Sequence, residues 1–408
     1  MPGAPGSRAT GRSYRPPSLR RLFALLLASA VLLAGCSTGD DESRPPQLGV
    51  KASDEQAAEK LGFPSSATRN TIRVGGSDAT ADAAGVAGAL YPATGDSDRP
   101  TAIVLVDKDD WTTAIAASVL VGRPIGAPIL PTDGQTLPPV SQDVLDRMKP
   151  KGSDLLKDAQ VIRVGPGVAK PSGYKTALIE GDTPFERAAE TDRIFSAARG
   201  KPSNDVVLFS ADSAEYAMPA AAWAARSGDA ALPVERDSIP PEIVKSLRRH
   251  RRPNVFLLGP EKVISKQIET QLKKDKLARN VERIDGTNPV ENAIAFARYE
   301  KGDFGWGVVV PGYNFSLAST SRPSDAAAAA ALATRGVFAP LVLTDDAENM
   351  PQKLEDYFLS VQPGYEDDPS QSVYNRAWVL GDDDAVSVPQ QALLDQLTEL
   401  IPVQTNAP

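Results

Sequence analysis

The apolar positions of this chain fall into short continuous runs that alternate with alanine-rich segments. Examples are Ile103–Val106, Val206–Phe209 and Val308–Val310, in which apolar residues follow one another without polar residues between them. Continuous runs of this length are typical of strands in a parallel sheet that is covered on both faces. The pattern therefore predicts buried parallel strands.

The alanine-rich segments predict the helices that connect these strands. Ser77-Asp78, Asp182-Thr183 and Thr287-Asn288 precede three of them, and such side chains accept hydrogen bonds from the free N–H groups of a first helical turn. Other helices are predicted to open with proline, which suits the first helical position. Strands that alternate with helices indicate doubly wound α/β units with right-handed crossovers.

The same order of elements occurs three times. Each copy opens with a strand that ends at a glycine, Gly75, Gly181 or Gly286, and the spacings are 106 and 105 residues. We therefore expect an α/β fold of three Rossmann-like units over 71–177, 178–281 and 282–400, followed by a disordered tail over 401–408. A chain of like units is more readily a binding surface than an enzyme with a single site.

The N-terminus has the composition of an export signal. Residues 1–35 contain five arginines and no acidic residue, and they end in the apolar run Leu22–Gly35. Fourteen residues are too few to span a bilayer core of about 30 Å, which needs about 20 helical residues. A positive segment followed by a short apolar run predicts a secretory signal peptide. Arg20-Arg21 leaves twin-arginine export open beside the general route.

Cys36 follows this run in the sequence Leu-Ala-Gly-Cys, and it is the only cysteine of the chain. The motif resembles the bacterial lipobox, whose cysteine is acylated with fatty acids such as palmitate and becomes the first residue. The resemblance implies a lipoprotein held on the outer face of the cell membrane. Polar residues over 36–70 then predict a disordered tether.

The charge of the chain limits its partners. The full sequence has 44 basic and 52 acidic residues, and loss of the signal peptide leaves a net charge of −13. An acidic surface argues against nonspecific binding to nucleic acid. An anionic ligand would need a local concentration of basic residues.

The ordered motifs resemble the bacterial cell wall-binding repeat type 2 family. The third copy is the most similar, with Arg283-Ile284-Asp285-Gly286, Asp325-Ala326, the run Ala339–Thr344 and Val386-Ser387. The first copy keeps parts of these motifs, and the second is eroded. The resemblance implies a pseudo-threefold arrangement of Rossmann-like units that holds a surface protein on an anionic wall polymer or glycan.

Two features are candidates for ligand contacts. The first is a basic run at the end of a predicted helix, which we call the basic helix end and which consists of Arg248, Arg249, Arg251 and Arg252. Cations at this position also complement a helix dipole, so a purely structural role stays open. The second is Trp111, which follows a predicted strand and offers a face on which a sugar could stack.

Catalytic and metal chemistry find little support in the sequence. His250 is the only histidine, and we expect it to be a solvated member of the basic helix end whose pKa the flanking cations lower. No nucleophile elbow accompanies it. The Gly-Pro-Gly turn at 165–167 lacks the third glycine of a dinucleotide-binding loop. We expect no enzyme activity, metal or cofactor.

These observations favour a noncatalytic, lipid-anchored envelope protein whose three repeats bind a wall polymer. A solute-binding lipoprotein of a transport system is the main alternative, since such proteins also combine a lipid anchor with α/β lobes. A wall-remodelling hydrolase is the third interpretation.

Overall fold

The structure, a computed structural model, describes residues 65–403. The predicted signal peptide, Cys36 and most of the predicted tether lie outside these residues. In chain order the strands are β1 (Ser65–Ala67), β2 (Thr71–Val74), β3 (Ile103–Asp107), β4 (Ile129–Thr132), β5 (Val161–Val164), β6 (Thr176–Ile179), β7 (Asp205–Ser210), β8 (Ala230–Val234), β9 (Asn254–Leu258), β10 (Asn280–Ile284), β11 (Glu300–Lys301), β12 (Phe304–Gly305), β13 (Asn314–Ser319), β14 (Leu341–Thr344), β15 (Gly364–Tyr365), β16 (Arg376–Leu380) and β17 (Ile401–Pro402).

The α-helices lie between the strands. They are α1 (Ala79–Leu90), α2 (Trp111–Ala117), α3 (Pro139–Met148), α4 (Pro184–Arg199), α5 (Ala214–Ala217), α6 (Pro219–Ser227), α7 (Pro241–Arg249), α8 (Lys266–Lys274), α9 (Pro289–Arg298), α10 (Ala326–Leu332), α11 (Gln352–Ser360) and α12 (Val388–Leu397). The predicted capping residues are confirmed at the starts of α1, α4 and α9, where Asp78, Thr183 and Asn288 each accept a first-turn N–H.

Three sheets carry the fold, and each contains four parallel strands. The first has the order β4-β3-β5-β6, and the second has the order β8-β7-β9-β10. The third has the order β14-β13-β16-β2, with β1 added antiparallel to β2 at its edge. Two small two-stranded sheets, β11-β12 and β15-β17, complete the sheet structure of residues 65–403. The prediction of an α/β fold with parallel sheets is confirmed.

The three repeated glycines mark the points where the chain passes from one sheet to the next. The strand before Gly181 lies in the first sheet, but the helix after it, α4, packs against β8 of the second sheet. The strand before Gly286 lies in the second sheet, and α9 packs against β14 of the third. The strand before Gly75 lies in the third sheet, and α1 packs against β4 of the first. The N-terminal strand β2 thereby joins the sheet built by the C-terminal strands.

Both faces of each sheet are buried, which explains the continuous apolar runs. In β3, Ile103 and Leu105 belong to a hydrophobic cluster confined to the first sheet, while Val104 and Val106 belong to a cluster shared by all three sheets. The second sheet alternates in the same way, because Val206 of β7 belongs to a hydrophobic cluster of the second sheet and not to the shared cluster. Successive side chains of a strand point to opposite faces, so a strand that is buried on both faces favours apolar residues at successive positions.

The alanine-rich helices fill the shared cluster. All seven residues of α10, whose sequence is AAAAAAL, are buried there, and α10 packs against α6 and α1. Alanine allows helix axes to approach closely because its side chain ends at Cβ. The alanine composition of the helices is therefore a consequence of their central position. No helix among residues 65–403 is long and apolar enough to cross a membrane.

One predicted strand is wrong. Val308–Val310 forms no strand, and the side chains of Val309 and Val310 are 52% and 53% exposed. The third-copy strand is β13, six residues further on, where Ser316 is buried and its hydroxyl donates to the Pro340 carbonyl. The run of three valines ends at Pro311-Gly312. The serines of β13 interrupt its apolar residues, so a search for continuous apolar runs does not identify this buried strand.

Two strands also lie in segments predicted to be disordered. Ser65–Ala67, at the end of the predicted tether, pairs with β2. Ile401–Pro402, at the start of the predicted tail, pairs with Gly364–Tyr365. The first segment extends the third sheet, and the second forms a separate two-stranded sheet. Each is held by a few backbone hydrogen bonds, which composition does not signal.

Candidate functional site

The basic helix end divides into two parts in the structure. Arg248, Arg251 and Arg252 are exposed around the end of α7. Arg249 is held against α4, where its Nη2 donates to the Ala189 carbonyl at 2.8 Å and lies 3.2 Å from Asp192 Oδ2. Its Nη2 also lies 2.7 Å from the Ser246 hydroxyl oxygen. Arg249 therefore connects α7 to α4, and the side chains of the other three arginines remain available to a ligand.

The prediction that His250 is solvated is wrong. His250 is 7% exposed, with Nδ1 2.8 Å from the Ser203 carbonyl oxygen and Nε2 2.9 Å from Asp192 Oδ1. Both partners are acceptors, so the geometry favours an imidazolium that donates from both nitrogens. Neither nitrogen is left to act as a base for a nucleophile.

The pKa of His250 also moves in the direction opposite to the sequence expectation. Burial alone lowers this pKa, but the hydrogen bond and negative charge of Asp192, with the Ser203 carbonyl, outweigh burial and the nearby Arg249. The net effect raises the pKa of His250 above its ordinary value. The sequence could not show this because Asp192 is 58 residues away.

Trp111 lies at the carboxyl edge of the first sheet, as the first residue of α2. It is half-buried and lines a cleft of about 580 Å³ with Asp107, Asp109 and Asp182, which we call the tryptophan cleft. Ligands of parallel α/β sheets bind at this edge, beyond the ends of the strands. The aromatic face can stack on a sugar ring, and the carboxylates beside it can accept hydrogen bonds from the hydroxyls of the sugar.

Arg187 also lines this cleft, and the motifs in the sequence did not identify it. Its Nη2 lies 2.7 Å from Asp110 Oδ2, its Nε donates to the Thr113 hydroxyl at 3.0 Å, and its Nη1 donates to the Gly181 carbonyl at 3.0 Å. One side chain thus connects α4 of the second sheet to the start of α2 of the first. The only available signal was its position six residues after a repeated glycine.

The structure brings part of the basic helix end near Trp111. A second cavity, of about 570 Å³, shares Pro166 and Asp182 with the tryptophan cleft. Its other charged lining residues are Lys245 and Arg249 together with Glu180, Glu186, Glu190 and Glu242. Arg248, Arg251 and Arg252 line neither cavity. No group of three or more His, Cys, Asp or Glu side chains within residues 65–403 is arranged to hold a metal ion.

Comparison with known proteins gives one family match. Residues 283–389 match the family described as "Cell wall binding domain 2 (CWB2)". The matched segment contains β13, β14 and β16 of the third sheet and the crossing at Gly286. It is also the copy in which the sequence motifs are most complete. No curated protein is similar enough to the chain to count as a match.

Two solved structures share the fold. Cwp8 from Clostridium difficile has a TM-score of 0.61 at 19% identity, with 84% of this chain and 53% of that chain covered. Cwp6 from Clostridium difficile has a TM-score of 0.64 at 16% identity, with 81% of this chain and 48% of that chain covered. This chain spans about half the length of each. The family match concerns residues 283–389, and the two solved structures show that the α/β fold with parallel sheets is shared.

Proposed function

We propose that this chain is a noncatalytic cell-envelope protein that binds a wall polymer through three α/β repeat units. It is anchored to the outer face of the cell membrane through the lipidated Cys36, and its tether carries the folded part into the wall. The observation that carries the proposal is the match of residues 283–389 to a cell wall binding family.

The topology supports three units that act together. Each of the three parallel sheets turns one face toward the shared hydrophobic cluster, and each is completed by a strand that leads into the next sheet. Units connected in this way form one rigid surface rather than three independent domains. A polymer that contacts several units is held by all of them at once.

The surface chemistry supports a ligand that carries both sugar rings and negative charges. The tryptophan cleft offers an aromatic face and hydrogen-bond acceptors, and Arg248, Arg251 and Arg252 offer exposed guanidinium groups on an otherwise acidic protein. Arginine forks match the oxygens of phosphate and carboxylate groups.

Sedimentation with purified cell walls tests the proposal. The full chain, purified in detergent, should pellet with intact walls, and it should remain in the supernatant after the anionic polymers have been stripped from the walls. A chain that never pellets with walls would refute wall binding and favour the solute-binding alternative, for which calorimetry with small solutes is the direct assay.

A further inference from the structure

A groove with a strongly basic lining opens where four α-helices end. It has a volume of about 920 Å³ and lies at the C-terminal ends of α1, α4, α6 and α10. Its cationic residues come from six separate places in the sequence, and they are Arg99, Arg123, Lys151, Arg199, Arg226 and Arg335. None of the described residues that line it is an aspartate or a glutamate. We call it the basic groove.

We propose that the basic groove is the main site at which this chain binds the negatively charged groups of a polysaccharide. The inference deepens the proposed wall binding, on which it rests, by assigning the anionic part of the ligand to this groove. It also places the main site away from the basic helix end, none of whose residues lines the groove.

Helix dipoles do not account for so many cations. The C-terminal end of a helix carries roughly half a negative charge, so the ends of α1, α4, α6 and α10 together amount to about −2. Arg199, Arg226 and Arg335 lie at or just beyond these ends and already exceed that charge. Arg123 and Lys151 are exposed and lie outside these helices.

Ion pairs do not account for them either. Among the described residues, Arg99 alone of the six makes an ion pair, with its Nη1 2.7 Å from Asp96 Oδ1. Asp98 is a second carboxylate close enough to interact with Arg335 electrostatically. Six lining cations, with no carboxylate in the same lining, leave a local excess of positive charge in a chain whose net charge is −8. Such an excess attracts an anionic ligand.

Two of the guanidinium groups are held in position by aromatic rings. Arg335 lies over the ring of Tyr91 at 4.3 Å from its centroid, and Arg226 lies over the ring of Phe338 at 4.6 Å. Stacking engages the face of a guanidinium and leaves its N–H edges available to an oxyanion. Less side-chain entropy is therefore lost when an anion binds.

The basic groove continues into a second cavity, whose lining has three cations balanced by the three carboxylates Asp205, Asp229 and Asp303, and this cavity suits sugar rings. This cavity has a volume of about 680 Å³ and shares Arg199, Arg226 and Phe338 with the groove. Trp306 and Tyr313 contribute aromatic surface to its lining. Each volume falls within the range of about 300–1,000 Å³ that is usual for ligand sites. A polysaccharide could place its anionic groups in the groove and a ring against the aromatic residues.

Binding to polymers of defined chemistry tests the inference. The probes are polyphosphate, polygalacturonate and neutral dextran, measured by calorimetry with the full chain in detergent. The parent chain should bind one or both polyanions and not dextran, and the stronger polyanion identifies phosphate or carboxylate as the preferred group. The triple variant Arg123→Gln, Lys151→Gln, Arg226→Gln removes three exposed cations, and it should bind the polyanion about tenfold or more weakly.

A matched variant controls for net charge. Lys273→Gln, Lys274→Gln, Arg279→Gln removes the same charge from exposed positions that line neither cavity, and it should bind like the parent. Equal polyanion binding by the triple variant and the parent overturns the inference, as does dextran binding as tight as polyanion binding. Circular dichroism confirms folding, and the single variant Arg123→Gln repeats the test with the smallest change.

Wall sedimentation separates this inference from the proposed function. If the parent and the triple variant both pellet with walls, the groove inference fails and wall binding stands. If the parent binds polyanions through the groove but never pellets with walls, the groove stands and the proposed function fails.

Discussion

Arg73 donates a hydrogen bond of 2.8 Å from Nη1 to the carbonyl oxygen of Gly381, which lies 308 residues further along the chain. Arg73 is on β2, and Gly381 directly follows the neighbouring strand β16. The same guanidinium donates to the carbonyls of Asp382 and Val386 at 2.8 and 2.6 Å. This side chain therefore helps to fix the N-terminal strand in the sheet of the C-terminal strands.

Replacing Arg73 should destabilise the whole fold. Arg73→Met leaves three buried or half-buried carbonyls without their donor and should lower the free energy of unfolding by about 3 kcal/mol. Urea denaturation followed by circular dichroism measures the change. The control is Arg69→Met, since Arg69 pairs with Glu399 on the surface and should contribute less than about 1 kcal/mol. Equal losses in the two variants would show that Arg73 does not hold β2 in place.

Gly75 should tolerate no side chain at the same junction. A Cβ at this position would lie 2.3 Å from the backbone oxygen of Gly381, and neither backbone can move without disturbing the sheet. Gly75→Ala should cost about 2 kcal/mol through overpacking. A Cβ at Gly95 would meet no atom within 4 Å, so Gly95→Ala is the matched control. Denaturation midpoints compare the two, and an unchanged midpoint for Gly75→Ala contradicts the expectation.

His250 should make the stability depend on pH. Because its pKa is raised in the folded state, its stabilisation is fully present below the unfolded value of about 6.5 and is lost as pH rises through the folded value. His250→Gln should therefore be less stable than the parent at pH 6, with a smaller difference at pH 9. Urea denaturation across this range measures it. A difference that grows with pH would show that the neutral imidazole is the stabilising form.

The exposed part of the basic helix end should contribute to the rate of wall binding. Changing Arg248, Arg251 and Arg252 to Glu should weaken sedimentation with walls and reduce its salt dependence, since exposed charges mainly steer association and are screened by salt. The fold should be unaffected. Arg249→Glu is the contrasting variant, because it places a carboxylate beside Asp192 and should lower stability. Unchanged binding of the triple variant at every salt concentration would assign these arginines to the helix dipole alone.

Cys36 should decide where the protein is found in the cell. Two acyl chains give stable membrane residence, whereas a single chain is marginal. Cys36→Ala should release the protein to the medium or leave an uncleaved precursor. Membrane fractionation and mass spectrometry of the parent and the variant measure both outcomes. A variant of unchanged mature size that stays in the membrane fraction would exclude lipidation at Cys36.

The sequence by itself determined the local elements of the fold. The continuous apolar runs of β3 and β7 predicted strands buried on both faces, and the capping residues Asp78, Thr183 and Asn288 predicted where helices begin. These predictions succeed because strand burial and helix capping depend on residues close together in the chain. The exception is β13, where a buried serine bonded to a carbonyl replaced the expected apolar residue.

Only the tertiary structure decided which segments meet. The pairing of β2 with β16, the contact of His250 with Asp192, and the gathering of six cations from residues 99 to 335 all join positions far apart in sequence. Such contacts depend on how helices and sheets pack around the shared cluster, and residue spacing along the chain does not record that packing. The basic helix end was visible because its arginines are adjacent, whereas the basic groove has no such run.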